Sequence, residues 1–159
     1  MSDDLVVRPA HLDDLNVIVE LRLALLQEYA EHPLYARLRP DVARRAHDLF
    51  RAQLLAPHER MFVAERDGVV VGVMRCVDTA SSPLLFPERY CYVSSVYVRP
   101  SERKRGVLRA LVAAADSWCA ELGLSEMRLH NASTSAAAQG AWSALGFEVV
   151  EQVRRRALA

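Results

Sequence analysis

The sequence predicts an α/β protein with a mixed, α+β-like sheet and helices on both faces of that sheet. Two observations carry this prediction. Asp67-Gly68 is a two-residue hairpin signal between two apolar segments, and a hairpin requires antiparallel strands. A strand, a helix and another strand follow one another between Tyr90 and His130, and this crossover requires locally parallel strands with a right-handed connection. A sheet that meets both requirements is mixed.

Length and composition are those of an ordinary globular protein. The 159 residues predict a single domain over residues 1–159, and the hydrophobic share of 52% is enough for a core without disulfides or metals. A formal net charge of zero speaks against nucleic acid and anionic membranes as partners. No apolar run reaches the roughly 18 residues of a membrane span, and the acidic N-terminus lacks a signal sequence. These features predict a cytoplasmic protein.

The first half of the chain changes between helical and extended patterns. Apolar residues at helical spacing begin at Leu15, with the Asp13-Asp14 pair as candidate caps, and Pro33 ends the pattern. Pro40-Asp41 is a start signal for the next helix. The predicted elements are a strand at Leu5–Arg8, helices from Leu15 to Tyr29 and from Val42 to Leu54, and hairpin strands at Arg60–Arg66 and Val69–Val77.

The second half completes an alternating pattern. β-Branched and aromatic residues indicate a strand that Arg99-Pro100 closes, and Gly123 marks the end of the long helix that follows. The predicted elements are a loop at Thr79–Pro87, a strand at Tyr90–Val98, a helix over 107–122, a strand at Ser125–His130, an alanine-rich helix at Ser133–Leu145 and a last strand at Phe147–Arg155. The complete order is β-α-α-β-β-β-α-β-α-β.

The start of the long helix has the chemistry of a phosphate site. Its first N–H groups have no partner within the helix, and the helix dipole adds positive charge there. Gly106 lets the backbone approach a ligand closely, and cationic side chains surround it. The alternative is a turn of solvated cations. A P-loop and a dinucleotide-binding fold are disfavoured, because G-x-x-x-x-G-K-[ST] and G-x-G-x-x-G are both absent. The surrounding cations are Arg103, Lys104, Arg105 and Arg109.

This segment resembles motif A of the GCN5-related N-acetyltransferases, the GNAT family, whose pattern is [RQ]-x-x-G-x-[GA] after a V-x-V-x-P strand end. Arg103 and Gly106 match the pattern, as does Val96-x-Val98-x-Pro100. Asn131, the alanines after it and Leu145-Gly146-Phe147 resemble motif B. The order of elements is similar to that fold along essentially the whole chain.

The resemblance implies an acetyl-CoA site. Backbone groups of Val96 and Val98 would pair with the pantetheine arm, and N–H groups of Lys104–Arg109 would hold the pyrophosphate. Asn131 would bind the pantetheine chain. The strands at Tyr90–Val98 and Ser125–His130 would splay at a bulge, and a backbone N–H near Val96 would stabilise the oxyanion. The cofactor-binding residues implied are Val96, Tyr97, Val98, Arg103, Lys104, Arg105, Gly106, Val107, Leu108, Arg109 and Asn131.

Two positions depart from the family pattern. Leu108 takes the place of the second small residue of motif A, which suggests a modified fit to the pyrophosphate. Trp142 takes the place of the motif B tyrosine that often protonates the leaving thiolate. An indole N–H is not a useful acid, so Trp142 is interpreted as a packing residue, and the thiolate would take its proton from another group or from water.

Direct attack of an amine on a thioester needs a group that accepts the amine's proton. The catalytic candidates are Tyr92 and Ser95, on the strand before motif A, and Glu28, on the acceptor side that the resemblance implies. A water chain to Glu28 or Glu31, or direct use of a neutral amine, stays open. His130 is interpreted as a satisfied polar residue. The histidines have no ligand spacing with Asp, Glu or Cys, so no metal is predicted.

The resemblance implies an N-acetyltransferase that moves the acetyl group of acetyl-CoA to a primary amine of a small molecule or a peptide by direct attack. Because Trp142 replaces the usual acid, a domain of the same fold that senses acyl-CoA without transferring it is the alternative. A phosphate- or nucleotide-binding protein that uses only the basic turn is the third interpretation. Members of the family often form homodimers, so a homodimer is a further expectation from the resemblance.

Overall fold

The computed structural model describes residues 4–159, and the elements follow the predicted order except at the C-terminal end. Short 3-10 turns at Leu12–Asp14 and Pro100–Glu102 precede α1 and the loop before α3. The strands and helices are β1 (Leu5–Pro9), α1 (Leu15–Glu28), α2 (Val42–Leu54), β2 (Glu59–Arg66), β3 (Val69–Ala80), β4 (Arg89–Val98), α3 (Val107–Leu122), β5 (Met127–Leu129) and α4 (Ala136–Ala144).

The five strands form one mixed sheet in the order β1-β2-β3-β4-β5, which confirms the predicted fold class. β1 to β4 are antiparallel neighbours, and β4 and β5 are parallel on either side of α3. Asp67 and Gly68 have φ values of 52° and 78°, as a type I′ turn requires at both central positions. The Asp67-Gly68 hairpin and the crossover from β4 to β5 therefore each predicted the strand direction correctly.

Each face of the sheet is covered by helices. Strand β2 alternates between the faces, since Met61 and Val63 pack with α1 and α2 whereas Phe62 and Ala64 pack with α3. On the first face Phe50 of α2 is 2% exposed. The period of two along the strand therefore divides the interior into two cores, one on each side of the sheet.

The predicted last strand at Phe147–Arg155 does not form. Residues 147–159 form no strand, and Val149 and Val150 are 75% and 79% exposed. β5 is also shorter than predicted, because it pairs with β4 only from Met127 to Leu129. The β-branched pattern after Phe147 finds no neighbouring strand within the described residues, and β propensity stabilises a strand only where pairing and burial accompany it.

Asp14, a candidate cap, and Asp41, a helix start signal, both bind arginines. The Asp14 carboxylate accepts two hydrogen bonds of 2.8 Å from Arg8 and one of 2.9 Å from the His11 N–H, so it closes the turn before α1. Asp41 similarly accepts from Arg44 and Arg45, at 2.7 and 2.8 Å. Both residues still mark helix starts, but through ion pairs rather than through a bond to a helix N–H.

Truncation of the core residue Leu111 to alanine is expected to lower the free energy of unfolding by about 3 kcal/mol, because it removes buried methyl groups and leaves a cavity. Leu111 is fully buried between α3 and the sheet. Urea denaturation would measure the loss. Leu122→Ala on the same helix, where the leucine is 39% exposed, is the control and should cost less than half as much. Equal losses would contradict the described packing of α3.

Candidate active site

A bulge in β4 opens the sheet between β4 and β5. Val73 lies opposite Tyr97 and Arg75 opposite Ser94, so Ser95 and Val96 together face the single residue between Val73 and Arg75. Ser95 has a φ of 54°, unusual for a residue with a side chain. The pairing of β4 with β5 ends at Val93 and Leu129, just before this bulge. Beyond that point the two strands separate.

A cleft of about 200 Å³ lies where the strands separate. Helix α1 and Tyr35 form one wall, β4 forms the floor, and the chain after β5 together with α4 forms the other wall. Of the predicted site residues, Tyr92, Ser95, Val96 and Asn131 are brought together here. The complete lining is Arg22, Leu25, Leu26, Tyr29, Tyr35, Tyr92, Val93, Ser94, Ser95, Val96, Leu129, His130, Asn131, Ala132, Ala138 and Trp142.

Tyr92 and His130 form a hydrogen-bonded pair across the cleft. The Tyr92 hydroxyl oxygen lies 2.8 Å from Nδ1 of His130, and the two rings meet edge to face at 5.7 Å. Burial raises the pKa of Tyr92, and Tyr35 and Tyr90 add to that rise while Arg75 opposes it. The hydroxyl is therefore protonated at neutral pH. His130 was not among the predicted site residues, and only its position after the strand that precedes Asn131 signals its role.

The start of α3 has the geometry that the sequence predicts. Gly106 precedes the helix with a φ of 83°, and Lys104 is also left-handed, with a φ of 61°. The Ala110 N–H donates to the Gly106 carbonyl at 3.0 Å. The N–H groups of 107–109 therefore point out of the helix end without a partner inside it. Leu108 packs against the α3-side core, so its larger side chain turns inward, away from the open helix end.

The four cations of this turn are not equivalent. Arg103 donates from Nε to the Val98 carbonyl at 2.9 Å and from Nη2 to Oε1 of Glu28 at 2.5 Å. Its guanidinium also lies over the Tyr97 ring, 5.3 Å from the centroid. Arg105 donates to Glu102 at 3.1 Å. The Arg103 side chain thus joins the end of β4 to α1, and its predicted part in binding the cofactor stays a prediction.

A buried ion pair holds the same turn against the sheet. Arg66 is 6% exposed, and its Nε donates to Oε2 of Glu102 at 2.7 Å. Its Nη2 also donates to the Arg105 carbonyl at 3.3 Å. A planar guanidinium with several donors fixes both the 3-10 turn and the residues that precede Gly106. No sequence motif indicates this role, because the two partners are 36 residues apart.

Of the remaining residues singled out in the sequence, Glu28 lies outside the cleft lining and Trp142 is part of it. Glu28 is bound to Arg103 and is not part of the cleft lining, so Tyr92 and Ser95 are the catalytic candidates that face the cleft. Trp142 lines the cleft and packs on Phe147, with ring centroids 5.2 Å apart. That contact agrees with its interpretation as a packing residue. Within residues 4–159 no group of His, Cys, Asp and Glu side chains is arranged to hold a metal ion.

The family model described as "Acetyltransferase (GNAT) family" matches residues 22–147. The chain is 34% identical over 110 residues to an aminoglycoside N(6')-acetyltransferase type 1 from Salmonella typhimurium, and this covers 63% of the chain and 70% of that protein. The family-model match over residues 22–147 contains both motifs and the residues that line the cleft. No helix in the described part of the chain is long and apolar enough to cross a membrane.

Solved structures of acetyltransferases have a similar fold. The aminoglycoside acetyltransferase AAC(6')-Iy, in complex with the bisubstrate analogue CoA-S-monomethyl-acetylneamine, is 25% identical with a TM-score of 0.75, over 98% of this chain and 99% of that one. A predicted acetyltransferase from Clostridium acetobutylicum with acetyl-CoA shares the fold at 15% identity, with a TM-score of 0.77 over 97% and 96% of the two chains. The prediction of an N-acetyltransferase that uses acetyl-CoA as co-substrate is confirmed, and the chain belongs to the acetyltransferase (GNAT) family.

Proposed function

We propose that this N-acetyltransferase acts on a primary amine of a small molecule and that the amine attacks the thioester directly, inside the cleft between β4 and β5. One observation carries the proposal: the strands separate at the Ser95 bulge, and the cleft this opens contains a bonded tyrosine and histidine. The names of the relatives favour a small-molecule amine over a peptide, since those proteins are aminoglycoside acetyltransferases.

The cofactor binds along one path in this proposal. The pyrophosphate sits at the helix start, where the N–H groups of 107–109 and the cations Lys104 and Arg109 face outward. Past Val93 the edge of β4 has no strand beside it on the β5 side, so the pantetheine arm adds there like another strand. Asn131 lines the cleft opposite this edge. The acetyl group then reaches the bulge, where the Val96 N–H stabilises the oxyanion.

The proton of the amine leaves through Tyr92. As the amine nitrogen bonds to the thioester carbon, the carbonyl electrons move to oxygen, and an N–H proton passes to the Tyr92 oxygen. The Tyr92 proton passes at the same time to the imidazole Nδ1 of His130, over the 2.8 Å hydrogen bond. When the tetrahedral intermediate collapses, the C–S bond breaks and the CoA thiolate takes a proton from the imidazolium or from water. The products are an acetamide and CoA.

The Tyr92–His130 pair favours transfer over simple sensing of acyl-CoA. A domain that only senses acyl-CoA needs the helix start and the strand edge that bind the cofactor. A proton relay directed into the cleft is needed only when a reaction takes place there. Trp142 does not exclude catalysis, because the relay and water supply the proton that the motif B tyrosine would have given. The homodimer also stays a proposal, and two features support it: within residues 4–159 no strand pairs with the outer edge of β5, and residues 148–159 are exposed.

The test mixes the protein with acetyl-CoA and a panel of amino acids, diamines, polyamines, aminoglycosides and short peptides. Release of the CoA thiol and the mass of the acetylated product are followed together. We expect at least one small-molecule amine to gain one acetyl group at a rate well above the uncatalysed one. Tight binding of acetyl-CoA without acetylation of any member of the panel would instead establish a sensing domain.

A further inference from the structure

Arg22 brings an unpaired positive charge into the cleft. It lies on the face of α1 that also carries Leu25 and Leu26; Tyr29 follows directly after the helix, and all four residues line the cleft. The side chain is half-buried. Within residues 4–159 it has no hydrogen bond or ion pair, in contrast to most arginines that the sheet and helices cover. A guanidinium carries five N–H donors, so several of its donors lack a protein acceptor.

Arg75, whose charge acts on Arg22, is by contrast hydrogen-bonded to its neighbours. Arg75 donates to both carboxylate oxygens of Glu59, at 2.8 and 2.6 Å, and to the Ser94 hydroxyl at 3.1 Å. Burial lowers the pKa of Arg22, Tyr35 opposes that change, and the positive charge of Arg75 adds to it. The protein thus tolerates a charge that it does not itself neutralise, and an unpaired charge in a partly dry cleft is unfavourable.

The cleft offers no negative charge to balance Arg22. Among the described residues that line it there is no aspartate or glutamate, and the remaining side chains are aromatic, apolar or neutral. An acceptor with several ammonium groups, such as an aminoglycoside, would meet repulsion from Arg22 here. A volume of about 200 Å³ is also small beside the roughly 300–1,000 Å³ of most ligand sites. Both features indicate a small acceptor with an anionic group.

We propose that the acceptor is a small amine that carries a carboxylate, with the carboxylate bound to Arg22 and the amine at Tyr92. A planar guanidinium binds a carboxylate through two parallel hydrogen bonds, and this pairing also orients the ligand. The aromatic rings of Tyr29 and Tyr35 border the same wall, with centroids 5.9 Å apart. The inference rests on the proposed function for the position of the amine, and it assigns a substrate class other than that of the relatives named above.

The test measures binding rather than turnover, so that it does not depend on the reaction. Linear ω-amino carboxylates of increasing length, and the carboxamide of each, are titrated by calorimetry into the protein saturated with CoA. We expect at least one carboxylate to bind about 10- to 100-fold more tightly than its carboxamide, the range for a charge-assisted hydrogen bond. Arg22→Gln should remove this preference and leave CoA binding unchanged.

Arg51→Gln is the matched control, because Arg51 is an exposed cation on α2 outside the cleft lining. It should retain the full preference for the carboxylate. Equal binding of carboxylates and carboxamides, tighter binding of diamines or aminoglycosides, or no binding of any member would each overturn the inference. Preference for a carboxylate without acetylation of that ligand would support the role of Arg22 and count against the proposed transfer, so the two failures are distinguishable.

Discussion

Tyr92→Phe should lower kcat by about 100-fold, a typical effect of losing a positioned proton-transfer group, with little change in the KM for acetyl-CoA. The substitution removes one oxygen atom from the cleft and keeps the ring, which meets the His130 ring edge to face. The amine then loses the group that accepts its proton, whereas the helix start that holds the cofactor is untouched. Steady-state kinetics with the best acceptor from the panel would measure both constants.

Two further variants make this result specific. His130→Gln should reduce kcat to a similar extent, and the double variant should be no worse than either single one, since both residues serve one relay. Tyr90→Phe is the matched control, because Tyr90 lies two residues earlier in β4, outside the cleft lining. Retention of more than half of the wild-type kcat by Tyr92→Phe would refute the relay.

The relay also predicts the form of the pH profile. Because the Tyr92 hydroxyl must hold its proton in order to pass it to His130, kcat measured against pH should not fall through loss of that proton in the neutral and mildly alkaline range. On the alkaline side, burial raises the pKa of Tyr92, and the phenol stays protonated beyond the ordinary value of about 10. The hydroxyl therefore remains able to donate to His130 across the neutral and mildly alkaline range.

Gly106→Val is expected to weaken acetyl-CoA binding by about 10- to 100-fold, the equivalent of losing one charge-assisted hydrogen bond. Gly106 has a φ of 83°, and a β-branched residue is strained in that conformation. An added Cβ meets no protein atom within 4 Å, so the effect comes from the backbone and not from a clash. Relief of the strain turns the N–H groups of 107–109 away from the phosphates. Calorimetric titration with acetyl-CoA would measure the change.

Gly123→Val is the matched control at the other end of α3. Gly123 has a φ of 71° and equally open surroundings, so the two substitutions should lower stability by similar amounts, about 1–2 kcal/mol. Only the change at Gly106 should impair acetyl-CoA binding. If both variants bound the cofactor as the wild type does, the assignment of the pyrophosphate to this helix start would be wrong.

The sequence predicted the fold well where local signals carry strong physical constraints. Asp67-Gly68 permits only a tight hairpin, and the crossover from β4 to β5 permits only a parallel pair, so the mixed sheet followed from two short segments. The prediction of a last strand at Phe147–Arg155 was wrong, because a strand forms only beside a neighbouring strand. In the described residues β5 does not pair with this segment. Propensity alone does not report the presence of such a neighbour.

The site was predictable to the extent that backbone geometry determines it. Gly106 and the helix start could be read from the sequence, because glycine and the change of period mark them. The contacts of Arg103 and His130 and the place of Arg22 in the cleft could not, because each depends on residues that are distant in sequence. Arg103 meets Glu28 across 75 positions, and His130 meets Tyr92 across 38. Residue type alone does not distinguish a solvated cation from a paired one.

The division of the interior by the sheet bears on how such a protein changes over evolutionary time. Among the described residues, the core under α1 and α2 and the core under α3 have no residue in common. The wall of the cleft that carries Arg22 and Tyr29 belongs to the α1 side, whereas the helix start at Gly106 belongs to the α3 side. Mutations that remodel one side leave packing on the other nearly intact. Selection can therefore exchange one acceptor for another while the cofactor site is inherited unchanged.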